Sequence, residues 1–127
     1  MSALVLDAGA LLAAERGDRT TAARLKAAQQ GGLELRSTAV VIAQVWRDPA
    51  GRQARLGQLL KAVDVRSVDQ AIGRDAGVLL GRAGLRDAVD ATVVAVSAAG
   101  DRILTSDPAD IRALVAASGR AVLVVPC

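Results

Sequence analysis

The sequence predicts an α/β domain in which a parallel sheet is covered by helices on both faces. Short apolar runs alternate with segments of helical spacing, which is typical of parallel strands joined by helices. Trp46 is the only aromatic residue, and Ala supplies much of the 52% hydrophobic content, so small aliphatic side chains must form the core. No repeat or interdomain linker interrupts residues 1–127, which we interpret as a single domain.

The first apolar run, residues 4–6, ends at a carboxylate. A short run of aliphatic residues bounded by a polar residue favours a strand buried on both faces. Asp7 follows this strand, and residues 8–10 begin an apolar helix. Open α/β sheets place their ligand crevices beyond the C-terminal ends of the strands. Asp7 is therefore predicted to lie at such a crevice.

The next segments form a helix, a strand and a second helix. Apolar residues recur at helical spacing over residues 20–30, and the glycine pair at 31–32 ends that helix. Residues 33–36 alternate between apolar and charged, as a strand does. Residues 39–47 favour a short buried helix capped by the preceding Ser or Thr, although their β-branched content also allows a strand.

The Asp-Pro dipeptide at residues 48–49 is expected to end one helix and to begin the next. Residues 52–61 have the pattern of a basic amphipathic helix with its leucines inward. Residues 62–68 alternate as a strand, and residues 69–82 form a helix that Gly84 closes.

The last four elements continue the alternation. Residues 87–99 are predicted to form a helix capped by Gly100, and residues 102–105 a short strand. A Ser-Asp-Pro turn leads to a helix at residues 111–117, and residues 121–125 are predicted to form a final buried strand.

The charged residues limit the chemistry of the protein. The net charge is +3 and the pI near 10.0; nearly all of the positive charge is Arg, whose planar fork suits phosphate oxygens. A nucleic-acid partner explains this excess, and so does a soluble surface shaped by a GC-rich codon bias. There is no His, which excludes His-based acid–base chemistry and the common zinc sites. A metal would therefore be a hard ion with oxygen ligands.

The cysteine content and the apolar pattern predict a cytoplasmic protein. Cys127 is the only cysteine, so no internal disulfide forms and a reducing compartment is expected. No apolar run reaches about 20 residues, and Asp7 interrupts the first run. Neither a membrane span nor a signal peptide is therefore expected.

Three carboxylates share one kind of position. Asp7 ends the first strand, Asp107 follows the strand at 102–105, and Asp90 lies in the first turn of the helix between them. Such positions converge beyond the strand ends of a parallel sheet, where clustered carboxylates need a cation such as Mg²⁺. Each also has a structural explanation: Asp7, Asp87 and Asp107 as helix N-caps, and Asp90 as a first-turn acid. Only the joint pattern favours a metal site.

Four segments, in this order and spacing, resemble the PIN-domain nucleases, in particular the VapC-type toxins of bacterial toxin–antitoxin pairs. The resemblance covers nearly the whole chain and implies a three-layer α/β fold, with a five-stranded parallel sheet and an acidic pocket that binds Mg²⁺ or Mn²⁺. The segments are LVLDAGALLAAERGDR at 4–19, STAVVIAQVWRD at 37–48, DAVDATVVAVSAAG at 87–100 and ILTSDPADI at 103–111.

The resemblance also implies roles for individual residues. It places catalytic, metal-binding roles on Asp7, Asp90 and Asp107. Asp87 is an accessory acid, one helical turn before Asp90 and on roughly the same face. Thr105 matches a hydroxyl that hydrogen-bonds a pocket carboxylate or a water.

One position departs from the family pattern. The usual Glu of the third helix is Gln44 here, whose carbonyl oxygen can bind a metal or its water but carries no charge. Metal affinity or general-base capacity should therefore fall. Asp48, one turn away, is a candidate for partial compensation, with a helix-end role as the alternative. Asp110 is expected to be a solvated surface acid, and Trp46 to pack in the core or in an interface.

The function that the resemblance implies is a metal-dependent endoribonuclease toxin, in which water attacks an RNA phosphodiester and which a cognate antitoxin neutralises. It also implies a homodimer, for which the N-terminal apolar helices are candidates. Arg16, Arg82 and Arg86 are candidates for steering RNA, with ordinary solvated charges as the alternative. The alternative function is a catalytically weakened RNA- or antitoxin-binding module, given Gln44. Phosphotransferase-type pockets fit less well, because Gly9 stands where haloacid-dehalogenase-like enzymes need a second Asp.

Overall fold

The computed structural model describes residues 2–127, in which strands alternate with helices. No helix in that range is long and apolar enough to cross a membrane. A short 3₁₀ turn at Pro49–Gly51 precedes the fourth helix. The strands are β1 (Ala3–Leu6), β2 (Glu34–Thr38), β3 (Val63–Arg66), β4 (Arg102–Thr105) and β5 (Leu123–Pro126). The helices are α1 (Ala8–Glu15), α2 (Arg19–Gln30), α3 (Ala39–Val45), α4 (Ala54–Leu60), α5 (Gln70–Ala83), α6 (Ala88–Ala95) and α7 (Pro108–Ser118).

The strands form one parallel sheet in the order β3-β2-β1-β4-β5. The chain winds from β1 outward to β3 on one side, and then returns to β4 and β5 on the other. β1 and β4 therefore flank the point where the winding reverses, which is where open α/β sheets bind their ligands. The predicted α/β class, with a five-stranded parallel sheet, is confirmed.

Two groups of helices surround a core of small aliphatic side chains. Helix α1 packs against α2 and α4, whereas α5, α6 and α7 pack against one another, and α3 contacts both α1 and α6. All of β1 is buried, as expected for a central strand covered on both faces. Trp46 lies outside this core with 37% of its surface exposed and its ring beside Gly57. Of its two expected places, the core is therefore wrong, and packing in an interface stays a prediction.

Helix α6 ends at Ala95, so the predicted end at residue 99 and the predicted cap at Gly100 are wrong. The cause is Asp101, whose Oδ2 accepts a hydrogen bond from the Ala98 amide at 2.8 Å and folds the segment into a turn. Gly100, with φ of 91°, belongs to this turn, because a left-handed backbone favours glycine.

Strand β5 was predicted to be buried, and this is wrong. It lies at the edge of the sheet and pairs only with β4. Its two end residues are exposed, and Leu123 keeps 59% of its surface in solvent. An apolar run in the sequence predicts a strand, but it does not show whether that strand lies at the centre or at the edge of the sheet.

A buried ion pair joins the sheet to the segment that follows α6. Arg36 of β2 donates from its guanidinium to Asp101 Oδ2 at 3.1 Å and to the Val96 carbonyl at 3.0 Å. Asp101 Oδ1 accepts from the Ala3 amide at 2.8 Å, and both charged side chains are at least nine-tenths buried. A single carboxylate thus holds the start of β1, the α6–β4 turn and the guanidinium together.

We expect Asp101→Ala to destabilise the protein by about 3–5 kcal/mol, because it removes the closest and most buried of the three carboxylates around Arg36 and two further hydrogen bonds. Asp69→Ala removes an exposed helix cap and is the matched control, with an expected cost of about 1 kcal/mol. Urea unfolding of both variants and the native chain measures the difference. Equal costs for the two substitutions would contradict a special role for Asp101.

Candidate metal centre

Asp7 lies at the C-terminal end of β1 and begins α1 as its N-cap. Its Oδ1 accepts a hydrogen bond from the Ala10 amide at 2.8 Å. Its Oδ2 accepts from the Thr105 hydroxyl at 2.5 Å and from the Ser106 amide at 3.2 Å. The carboxylate is only 2% exposed. Both predicted properties of Asp7 are therefore present: it caps the helix, and it lies at the crevice end of the sheet.

Thr105 links Asp7 to Asp107. While its hydroxyl donates to Asp7, the same oxygen accepts a hydrogen bond from the Asp107 amide at 2.8 Å. Thr105 is fully buried at the end of β4, which is hydrogen-bonded to β1. Asp107 then caps α7, with Pro108 in the first turn. The two strand ends are thus joined by side-chain as well as backbone hydrogen bonds.

The approach of Ser106 to Asp7 requires the absence of a side chain at Gly9. A Cβ atom built on Gly9 would lie 1.8 Å from Ser106 Oγ and 2.4 Å from Ser106 Cβ. Neither distance is compatible with real atoms. Gly9 is therefore needed for the β4–α7 turn to close over the start of α1, a role that the sequence pattern did not indicate.

Asp87 and Asp90 both belong to the start of α6. Asp87 is exposed, and its Oδ1 accepts from the amides of Val89 and Asp90 at 2.9 and 3.1 Å, so its predicted role as N-cap is present. Asp90 is buried, at 7% exposure. The helix is held at this edge by a 3.1 Å hydrogen bond between the hydroxyls of Thr92 and Thr38.

Three carboxylates meet at this end of the sheet: Asp90, Asp107 and Asp110. One oxygen of each lies within 4.8 Å of the corresponding oxygens of the other two. Asp110 remains partly exposed in the first turn of α7, in agreement with the expected solvated acid, and it lies beside the other two acids. The Asp-Pro-x-Asp spacing puts both acids on one helical turn. This spacing is the sequence signal for the closeness of Asp107 and Asp110.

The crowding of these acids changes their protonation. Burial, followed by the charges of Asp87, Asp7, Asp107 and Asp110, raises the pKa of Asp90 to about 7. Burial also raises the pKa of Asp7, although its hydrogen bonds oppose the shift. For Asp110, burial and then the neighbouring Asp107 raise the pKa. Without a cation, Asp7, Asp90 and Asp110 are therefore easier to protonate than ordinary carboxyl groups.

Gln44 and Asp48 are both exposed. Gln44 lies in the last turn of α3, and its side chain makes no hydrogen bond to any residue in 2–127. Asp48 follows α3 with a φ of 43°, and its amide donates to Gln53 Oε1 at 2.5 Å. The backbone of Asp48 thus forms part of a turn closed by Gln53, which agrees with a helix-end role.

Three grooves of the protein lie away from the acids. Three grooves, of about 450, 580 and 650 Å³, are lined by apolar, neutral polar and basic residues and by no carboxylate. Within residues 2–127, the Asp90, Asp107 and Asp110 group is the only set of three potential metal ligands so closely placed. A cation site is therefore to be sought at the carboxyl ends of β1 and β4.

The donor atoms of this cluster fit a hard divalent cation. They are all carboxylate oxygens, the ligand type that Mg²⁺ and Mn²⁺ prefer. Asp90 is 7% exposed, and its carboxylate accepts no hydrogen bond from the residues that the structure describes. A largely buried residue with no donor to its carboxylate is costly to ionise, and a bound cation would offset that cost.

Comparisons with known proteins agree with the fold. No protein-family model matches the sequence, and no curated protein matches it. Among solved structures, the fold is similar to a chain in the crystal structure of VapBC2 from Rickettsia felis bound to a DNA fragment from their promoter. The TM-score is 0.72 over 98% of both chains, with 11% sequence identity. The fold implied by the sequence resemblance is thus confirmed along almost the entire length.

We expect Gly9→Ala to destabilise the protein by about 1–3 kcal/mol, because the new methyl group overlaps Ser106. Ser106→Gly removes both overlapping atoms and should recover most of the loss in the double variant. Chemical unfolding of the native chain, both single variants and the double variant gives the coupling. Additive costs would show that Gly9 and Ser106 do not interact as described.

We expect the stability of the metal-free protein to depend on Asp90 and pH. Because the folded-state pKa is raised from 3.8 to about 7, the folded state retains a proton that the unfolded chain has lost. Stability should therefore fall as the pH rises from about 4 to about 7, by up to about 4 kcal/mol from this group.

Asp90→Asn should remove this part of the pH dependence and stabilise the metal-free chain near neutral pH. Urea midpoints measured with EDTA between pH 4.5 and 8 test the expectation, and Asp69→Asn serves as an exposed control. Parallel pH profiles for Asp90→Asn and the native chain would contradict the assignment.

Proposed function

We propose that this chain is a Mg²⁺- or Mn²⁺-dependent endoribonuclease toxin of the VapC type, neutralised by a cognate antitoxin. The observation that carries the proposal is the convergence of carboxylates at the point where the winding of the sheet reverses. Asp7 and Asp107 end the neighbouring strands β1 and β4, and Asp90 approaches them from α6. The similarity to the fold of the VapBC2 chain adds support, because the sequence resemblance implies that fold.

In this proposal Asp7, Asp90 and Asp107 hold the metal and are the catalytic acids. A bound divalent cation supplies Lewis-acid polarisation of the phosphodiester and lowers the pKa of water. Thr105 positions Asp7 and the start of α7 at the same time, because its hydroxyl is shared between the Asp7 carboxylate and the Asp107 amide. Asp87 sets the first turn of α6 and so the position of Asp90.

The substrate in this proposal is RNA. A basic chain with a pI near 10.0 attracts a polyanion in general, whereas the acidic pocket repels phosphate unless a cation is bound. Arg16, Arg82 and Arg86 are exposed and are candidates for steering the RNA backbone. Exposed Arg residues would attract RNA non-specifically, and the acidic pocket would accept a phosphate group only when a metal ion is bound.

The proposed partners are an antitoxin and a second copy of the chain in the cytoplasm. The solved neighbour is a VapBC2 complex on promoter DNA, and we extend to this chain the idea of a protein partner. Ala10, Leu11 and Ala13 of α1 are buried within the chain itself, so a homodimer would have to use other residues. The exposed large apolar residues in the described range are Leu123 on β5, Val78 on α5, Val65 on β3 and Trp46 in the α3–α4 connection.

A second candidate is a binding module with a weakened site. The observation that favours it is Gln44, which is exposed and uncharged where the resemblance implies a Glu. Such a module would retain affinity for RNA or antitoxin without cleavage. The two candidates predict different results in one cleavage assay.

We expect the purified protein to cleave RNA from a mixed pool with Mg²⁺ or Mn²⁺ and not with EDTA. Asp7→Asn should lower the rate about 100-fold or more, because several kcal/mol of transition-state stabilisation depend on the metal. Asp69→Asn, an exposed cap outside the cluster, should cleave as the native chain does. Circular dichroism of each variant controls for folding.

Gln44→Glu separates the two candidates. Activity in the native chain means that Gln44 suffices, whereas activity only in Gln44→Glu means that one substitution has disarmed the site and favours the binding module. If the folded, antitoxin-free native chain and Gln44→Glu are both inactive with either metal, the nuclease proposal is wrong for the RNAs tested.

A further inference from the structure

We propose that the groove between α2 and the strands β4 and β5 binds a small organic acid that carries an apolar chain. Arg102 binds the carboxylate, and the apolar sides of the groove hold the chain. The groove has a volume of about 450 Å³, within the range of roughly 300–1,000 Å³ that small-molecule sites occupy. No carboxylate lines it, so it is separate from the acidic cluster and does not depend on the proposed nuclease function.

One side of the groove is a sheet face that α2 covers only in part. Leu4 pairs with Arg102, and Leu104 pairs with Val125. Paired residues, and residues two apart along a strand, project from the same face, and all four of these line the groove. Leu123, which pairs with Arg102 on this face, keeps 59% of its surface in solvent. The strands therefore offer an apolar surface that continues to the edge of the sheet.

The opposite side of the groove consists of small residues on α2. Ala27, Ala28 and the capping Gly31 line it, together with Leu33 before β2. Side chains this small leave space between the helix and the strands. Strand hydrogen bonds and the packing of α2 on β2 hold the two sides in place, so the groove is pre-formed, as most ligand sites are.

Arg102, at the start of β4, determines the class of ligand. It is exposed and makes no hydrogen bond or ion pair to any residue in 2–127. A guanidinium presents a planar fork of donors that matches a carboxylate in a bidentate pair. An apolar groove that holds an unpaired guanidinium and has no acid in its lining is complementary in charge to an anion with an apolar body.

Arg24 limits the other end of the groove. Its guanidinium donates to the carbonyl of Pro126, which pairs with Thr105 at the far end of β4 from Arg102. Pro126 has no backbone N–H and its carbonyl is engaged, so this end of the edge strand is poorly suited to pairing with a strand from a second copy. A small ligand fits the groove better than an added strand does.

Other anions would use less of the groove. Single-stranded RNA binds by stacking its bases on aromatic rings, and no aromatic residue lines the groove. Inorganic phosphate would contact Arg102 but not the apolar sides. A carboxylic acid with a chain of methylene groups contacts both, and each methylene that leaves water contributes to binding. The groove therefore selects a medium-chain fatty acid.

The test is binding of decanoate to the full-length chain in EDTA, measured by titration calorimetry and by amide NMR spectra below the concentration at which decanoate forms micelles. We expect saturable binding of one decanoate that shifts the amide signals of Ala27, Leu104 and Val125. Arg102→Gln should weaken binding about tenfold or more, because a charge-assisted pair is lost. Arg74→Gln, which removes an exposed Arg of α5, should bind as the native chain does.

Two further comparisons isolate the carboxylate contact. Decanol has the same chain without the charge and should bind about tenfold more weakly than decanoate. Arg102→Lys keeps the charge but loses the planar fork, so its affinity should lie between those of the native chain and Arg102→Gln. Circular dichroism of each variant controls for folding.

The inference is wrong if decanoate does not bind, if decanol binds as tightly, or if Arg102→Gln and Arg102→Lys both bind as the native chain does. It is also wrong if the shifted signals come from the groove between α1, α2 and α4, which Gln58 lines, instead of from Ala27, Leu104 and Val125. None of these results bears on RNA cleavage, so the two proposals are tested separately.

Discussion

The hydrogen bond from the Thr105 hydroxyl to Asp7 Oδ2 determines the geometry on which the candidate site depends. It crosses between two adjacent parallel strands at the point where the winding of the sheet reverses. Because Thr105 Oγ1 also accepts from the Asp107 amide, the same hydroxyl fixes where α7 begins. The positions of Asp107 and Asp110 therefore follow from the end of β4, and their distance to Asp7 is set by the pairing of β1 with β4.

The pairing of β1 with β4 fixes the positions of the acids, but it does not reduce the repulsion between their charges. Neutral donors stabilise Asp7, and the amides at the starts of α1 and α6 stabilise Asp7 and Asp87. Asp90 has no such donor among the described residues, and its pKa rises to about 7. In the absence of a cation, the pocket is thus a strained part of an otherwise well-satisfied fold. Uncompensated repulsion of this kind commonly marks a functional site.

The fold class could be predicted from the sequence, the roles of the site residues stay predictions, and the errors have physical causes. Alternation of apolar strands and helices predicts the parallel sheet, and Asp7, Asp90 and Asp107 are near one another because parallel strands end at one edge. The end of α6 was missed because it depends on Asp101, which reaches residues distant in sequence, Ala3 and Arg36. The closeness of Asp110 to Asp90 and Asp107 was not predicted. Its spacing places it on the same helical turn as Asp107 but does not indicate what that turn faces. Gly9 gave no signal because its role is a contact with Ser106.

Three buried aspartates illustrate how environment, rather than residue type, separates structure from function. Asp101 is paired with the Arg36 guanidinium and two backbone amides, so its charge is compensated within the protein. Asp7 is held by three neutral donors, which orient the carboxylate but do not neutralise it. Asp90 has neither a cation nor a donor among residues 2–127, and other carboxylates surround it. Without a cation Asp90 therefore keeps its proton up to about pH 7, and under the proposed function a hard metal ion would supply the counter-charge when the group is ionised.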